Sequence, residues 1–453
     1  MSAVQEKLGR IATEDTSASL HVAKRTRSAE GGKVAFFFLC LFTAVLLIRP
    51  SDMLQRPIRI AEPVALVAIL AYLGALLTNR LKFYWSRELG MFLFLSTWFA
   101  LGVPFAYWRS NSLTILTDTW SKTFIIFFLL TQTVTSFPRL RKLIWTFIAS
   151  AFIVSAYSLV KGVDVSGSTR YSGATGGFLS GNYVGTAAAM VFPYIFSFLI
   201  TSRGVLRRVA LLATFAMLSW FVVVTASRGG FLSVAFCGLL SYIIIFAGSV
   251  RLRVGGLVFL VVICVAAAFA PRIFWERMAT LWDSEIAVES KDAASATESR
   301  WQRQSLLNRS IEYTLDDPVF GVGMGNFAIR SGTETGAQGW LGTHNTFTQV
   351  AAEGGIPSFL IFLALLAMSI SRVQRVKSDA RGEDVKPIQM MARATLVSLL
   401  SFAFAGFFAH LAYDYYLYYL VGFSVVLQRI VYESRNRKPC SAAQPAFVPA
   451  ELA

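Results

Sequence analysis

Three stretches of this chain carry side chains able to handle charge and protons. The first is Thr225-Ala226-Ser227-Arg228-Gly229-Gly230, a tight turn between two apolar runs. An arginine there either snorkels to a membrane interface or binds an anion. The second is Arg-Gln-Ser-Leu-Leu-Asn-Arg-Ser-Ile-Glu-Tyr over 303–313, an amphipathic helix pattern closed by Asp316-Asp317-Pro318. Arg300 and Arg303 lie on the same segment. Gly321-Val322-Gly323-Met324-Gly325-Asn326 follows it. Such a run either cradles phosphate with backbone N–H groups or makes a tight structural turn. It lacks the strand-turn-helix surroundings of a dinucleotide fingerprint. The third stretch is Thr343-His344-Asn345-Thr346-Phe347. Imidazole takes and returns a proton near neutral pH, so His344 is either a base or a brace for its loop. The other two histidines are His21, in a polar tail, and His410, near the end of an apolar run beside Asp414.

The elements that must hold these groups are membrane spans. Of 453 residues, 55% are hydrophobic and 15% charged. Mean hydropathy is +0.56. Soluble domains average about 45–50% apolar and about 25% charged, so a soluble globular enzyme and a disordered chain are both excluded. A span takes roughly 20 residues. Apolar runs at about 34–48, 62–78, 89–104, 120–136, 143–160, 182–201, 207–226, 230–247, 254–270, 355–371, 394–412 and 415–432 predict an all-α polytopic membrane protein of about 12 transmembrane helices. Residues 1–32 read as a disordered cytoplasmic tail and 433–453 as a second cytoplasmic tail. The net charge of +16 reflects basic cytoplasmic loops rather than nucleic-acid binding. With the N-terminus inside, 27 of the 42 basic residues fall on inner segments, which puts both termini in the cytoplasm.

The long loop 271–354, between the ninth and tenth spans, then lies outside. Its Trp275, Trp282, Trp301 and Trp340 predict a folded unit on the membrane surface. Acidic residues outnumber its seven basic ones, so those basic residues need a reason other than topology. The four cysteines form no CxxC or CxxH pattern, which predicts neither a disulfide framework nor a zinc site. No outward carboxylate cluster is spaced for a metal, and no cofactor is expected.

In order and spacing, these stretches resemble the O-antigen ligase family, whose shared region is also called the Wzy-C domain. The resemblance covers about residues 160–372 within a membrane domain of 33–432. Ser227-Arg228-Gly229-Gly230 looks like the family's Ser-Arg-Gly turn. Arg303, fifteen residues before Pro318 and followed by Gly321-Val322-Gly323, is similar to its Arg-helix-Pro-x-x-Gly-x-Gly block. His344-Asn345, then nine residues, then Gly355, is similar to its His-Asn-x9-Gly motif; Ser358 stands where that motif usually ends in Gly, Thr or Tyr.

The resemblance implies a GT-C-like enzyme of the bacterial inner membrane with a periplasmic active site. Such an enzyme moves a glycan from an undecaprenyl diphosphate donor to a hydroxyl on lipid A-core or on another glycan, inverting the anomeric centre without a metal. On this reading Arg228 and Arg303 neutralise the leaving diphosphate, and His344 takes the acceptor proton. Arg170, Tyr171, Arg300, Arg330 and Asn345 would hold substrate. Activity would then fall as pH drops through about 6.5, the ordinary histidine pKa. The alternatives are a Wzy-type polymerase of the same family and a small-anion transporter. The transporter is disfavoured because charge clusters at the outer rim rather than at mid-span.

Overall fold

The structure, a computed structural model, describes residues 32–435 apart from 55–59, 162, 165–170, 173–179, 249, 251, 255, 258–267, 281–290, 337–339 and 380–384. Helix α1 spans Lys33–Ile48, α2 Ala61–Leu77 and α3 Arg87–Gly102. Helix α4 spans Arg109–Thr133 and contains a π-helical stretch at Ile115–Trp120. Next come α5 (Phe137–Lys161), α6 (Gly181–Thr201), α7 (Val205–Val224) and α8 (Arg228–Ile244). Two short strands, β1 (Val163–Asp164) and β2 (Tyr171–Ser172), pair antiparallel between α5 and α6. The long loop contributes α9 (Arg272–Ala279), α10 (Lys291–Asp316) and α11 (Phe327–Thr335). The chain closes with α12 (Thr346–Asp379), α13 (Val385–Ala405) and α14 (Tyr415–Arg435).

Among the described residues, eight helices are long and apolar enough to cross a membrane: those of α3 to α8, α12 and α13. The chain is thus a multi-pass membrane protein. Helices α1 and α2 occupy two of the other expected positions but are shorter, 16 and 17 residues. Helix α14 has 21 residues and is buried from Tyr415 through Leu427, yet it is rich in tyrosine. Its hydroxyls are satisfied inside the protein: Tyr415 donates to the Leu46 carbonyl and Tyr419 to the Thr43 hydroxyl. Polar tips with internal partners lower its hydropathy without exposing it. The expected ninth span, about 254–270, lies mostly outside the described residues.

Helix α6 is the central post, packed against α5, α7, α8 and α13. Its small residues allow this, because helices in lipid associate mainly by close packing. A Cβ added at Gly185 would lie 2.2 Å from the Cα of Gly230, so α6 and α8 touch backbone to backbone. Near the far end of α12, Arg372 makes a bidentate ion pair with the fully buried Glu88 of α3 and also bonds Gln428 of α14. Removing one partner of such a pair strands a buried charge, at about 3–5 kcal/mol. That pair ties together the helices from which α12 rises to the site.

Candidate active site

The turn before α8 is built to aim Arg228. Ala226 adopts the left-handed conformation at φ 47°, which costs a non-glycine residue of order 1 kcal/mol or more. Ser227 then caps α8, its hydroxyl accepting from Gly230 N at 3.2 Å and donating to Asn182 Oδ1 at 2.6 Å. The Asn182 amide in turn donates to the Phe408 carbonyl at 2.7 Å, joining α6, α8 and the turn after α13. Arg228 is the first residue of α8, where unpaired helix amides favour an anion. One of its Nη atoms donates to Thr280 Oγ1 at 3.1 Å, and Thr280 ends α9.

Helix α10 ends at Asp316, as the Asp-Asp-Pro stop predicts. Its face Leu306–Tyr313 joins Val322, Phe327 and Ala352 in a small second core. That core fixes the helix over the bundle and puts Arg303 one turn from Leu306. Among its described residues the long loop forms α9, α10 and α11, while Trp282 lies outside the described residues. Trp275, Trp301 and Trp340 are all exposed.

His344 lies two residues before α12 and is also left-handed, at φ 50°. Like Ala226, it is a non-glycine residue with positive φ beside the cavity, and such strain clusters at functional sites. Burial first, then His410 and Arg303, push its pKa down to about 4. The imidazole is therefore neutral at pH 7 and able to accept a proton. The sequence expectation of an ordinary value near 6.5 is corrected by this desolvation and by the neighbouring cation.

These groups meet. One cavity of 170 Å³ is lined by Ser180, Asn182, Arg228, Arg277, Arg303 and His344, among others. A neighbouring cavity of 330 Å³ shares Arg228, Arg303 and His344 and adds Arg300, Asn345 and Phe407. Among the described residues no carboxylate lines either cavity, although acids outnumber bases in the long loop. Arginines gathered without acids make a site for a multiply charged anion such as a diphosphate, because each planar fork binds oxygens in pairs.

Other expected residues are placed elsewhere or do other work. Arg330 lines neither cavity; it bonds Asp316, Asp317 and Glu334 and lies 4.2 Å over the Tyr313 ring. Its fork is spent welding α11 to α10. Asn345 caps α12, its Oδ1 accepting from Phe347 N and Thr348 N. Tyr171 stands in β2 opposite Asp164, and Arg170 lies outside the described residues. The glycine-rich run is a structural turn. Gly321, Gly323 and Gly325 all have positive φ. Gly321 N and Val322 N donate to the carbonyls of Asp317 and Ala352, and Phe327 N to Glu353. The buried Asn326 fills the turn, donating to the carbonyls of Trp108 and Val322. Gly355, at φ 77°, kinks α12, and a Cβ there would lie 2.1 Å from the Val319 carbonyl oxygen.

Sequence reasoning missed Arg277. It is buried on α9, donates from Nε to the Ala226 carbonyl at 3.2 Å and lines the smaller cavity. The available signal was its place among basic residues that topology did not explain. A separate 330 Å³ cavity, lined in part by Arg49, Glu62, Asp118, Lys122 and Asp414, holds an ion-pair network between α2 and α4. There Lys122 bridges Glu62 and Asp118 at 3.0 and 2.7 Å.

Residues 212–363 match the family model Wzy_C, described as O-antigen ligase. That stretch contains Arg228, Arg277, Arg300, Arg303 and His344. No curated protein matches the chain.

Proposed function

We propose, from a membrane chain whose O-antigen ligase region contains all four cavity arginines and His344, that the protein transfers a glycan from undecaprenyl diphosphate to an acceptor hydroxyl. The observation that carries the reading is the convergence of Arg228, Arg303 and His344 on the same two cavities. The acceptor oxygen forms the new bond at the anomeric carbon from the face opposite the leaving group, which inverts that centre. The bond from that carbon to the diphosphate oxygen breaks, and its electron pair leaves on the diphosphate. Arg228 and Arg303 hold that growing charge, the work a metal does elsewhere. His344 takes the proton of the acceptor hydroxyl. Arg300 and Arg277 add positive field at the rim. The acceptor is a hydroxyl of lipid A-core or of a second glycan.

Purified protein should move a glycan from its undecaprenyl diphosphate carrier onto an acceptor in detergent. Turnover that persists after both Arg228 and Arg303 are replaced by Ala would overturn the reading.

The same reading puts the site on the periplasmic side of the inner membrane and both termini in the cytoplasm, in keeping with the charge asymmetry. A cysteine introduced at Gly336 should react with an impermeant maleimide from outside, and one at Arg375 should not. The reverse pattern would invert the topology.

A further inference from the structure

His410 lies in the turn between α13 and α14, and the structure holds that turn on two sides. Thr346 Oγ1 donates to the Ala409 carbonyl at 2.7 Å and accepts from Leu411 N at 3.1 Å. Tyr183 of α6 donates its hydroxyl to the His410 carbonyl at 3.2 Å and meets the His410 ring edge-on at 5.5 Å. The loop leading to His344 passes directly over the same ring. A Cβ at Gly342 would come within 2.9 Å of it. The His410 and His344 rings face each other edge-on, centroids 5.3 Å apart at 73°.

Within this packing, His410 Nδ1 is buried and has no hydrogen-bond partner. A buried polar atom left unsatisfied is costly and calls for a reason. A neutral imidazole has one acceptor nitrogen, whereas an imidazolium has two donors. His344 is neutral in the resting site and becomes an imidazolium only when it takes the acceptor proton.

We propose that His410 is a positioning residue for His344, its free imidazole nitrogen accepting a hydrogen bond from the His344 imidazolium formed during transfer. This inference rests on the reading of His344 as the base. The acceptor O–H bond breaks and a His344 N–H bond forms; His410 keeps its own proton and exchanges no electrons. The other charged or titratable groups around the pair are Arg300 and Arg303 on α10, Arg228 on α8, Arg277 on α9, Tyr183 on α6 and Asp414 four residues along the same turn. A carboxylate in the place of His410 would hold His344 charged and compete with the diphosphate for the arginines. A neutral imidazole does neither.

Two replacements separate this role from packing. His410→Phe keeps a ring for the edge-on contacts but removes the nitrogen. His410→Asn sacrifices ring packing but can offer an amide oxygen near the Nδ1 position. The Phe variant should lose about 10- to 100-fold in kcat, the range for a lost hydrogen bond to a charged group, with donor KM little changed. The Asn variant should recover much of that loss. Wild-type kcat in the Phe variant, or an Asn variant no better than Phe, overturns the proposal.

A second measurement does not need turnover. In detergent-solubilised protein with ¹⁵N-labelled histidine, the His410 ring signals should respond as His344 titrates. The His344 titration should also differ between wild type and His410→Phe. Identical titrations overturn the pairing. Coupled titrations in a protein that transfers no glycan keep the pair and remove the base assignment instead.

Discussion

Replacing His344 with Ala is expected to lower kcat about 10²–10⁴-fold, the range for a positioned general base. Donor binding should survive, because in the proposed mechanism the arginines bind the diphosphate without it. His344 is held at φ 50°, which alanine tolerates poorly. His344→Asn is therefore the sharper variant, since asparagine accepts the left-handed conformation but cannot act as a base. If His344 only braces its loop, the Asn variant will transfer glycan at close to the wild-type rate, and the base assignment falls.

The pH profile makes the same point. If His344 is the proposed base, its neutral form is the active one, and burial pushes its pKa down to about 4. Activity governed by this group is lost as pH falls through the folded-state pKa. Its acid limb in kcat/KM, which reports the free enzyme, should therefore lie near pH 4 rather than near about 6.5. Between those values His344 should contribute no slope. A limb near 6.5 that disappears with His344→Asn would show that the ring is not desolvated as the structure has it.

Arg228→Lys and Arg303→Lys should each cost at least about tenfold in kcat, because lysine keeps the charge but loses the bidentate fork. The corresponding alanine variants should fall further, by about 10²–10³, the loss seen when one preorganised donor to a developing anion is removed. Both arginines line the same two cavities, so their effects should be non-additive in the double variant. Arg330→Ala should behave differently. Its fork holds three acids on α10, α11 and the turn between them, so its loss should destabilise the α10–α11 unit while leaving the chemistry of the folded protein in place. Lysine variants of Arg228 and Arg303 with wild-type kcat would mean that neither fork touches the leaving group.

The sequence by itself determined the class of protein and singled out three positions that the fold brings to the same two cavities. Apolar runs of span length are legible because lipid admits few alternatives to helices with their backbone bonds closed internally. Arg228, Arg303 and His344 stood out because each is costly or conspicuous where it lies: an arginine in a turn between spans, an arginine on an outer amphipathic helix, and a histidine where the loop re-enters the bundle. The end of α10 at Asp316 was equally local, set by the Asp-Asp-Pro stop.

Tertiary structure alone decided which neighbours share their work. Arg330 and Arg277 are both basic residues of the same loop, and nothing local separates them. The acids flanking Arg330 in space claimed its fork, while packing of α9 against the Ala226 turn carried Arg277 to the cavity. The glycine-rich run allowed either a phosphate cradle or a turn until its amides found Asp317, Ala352 and Glu353. His410 reads as an ordinary histidine near a span end; its meaning comes from His344, 66 positions earlier in the chain, lying against its ring. The pKa of His344 was hidden for the same reason. Desolvation and the field of Arg303 arise only when α10, the loop before α12 and the turn after α13 close over one another.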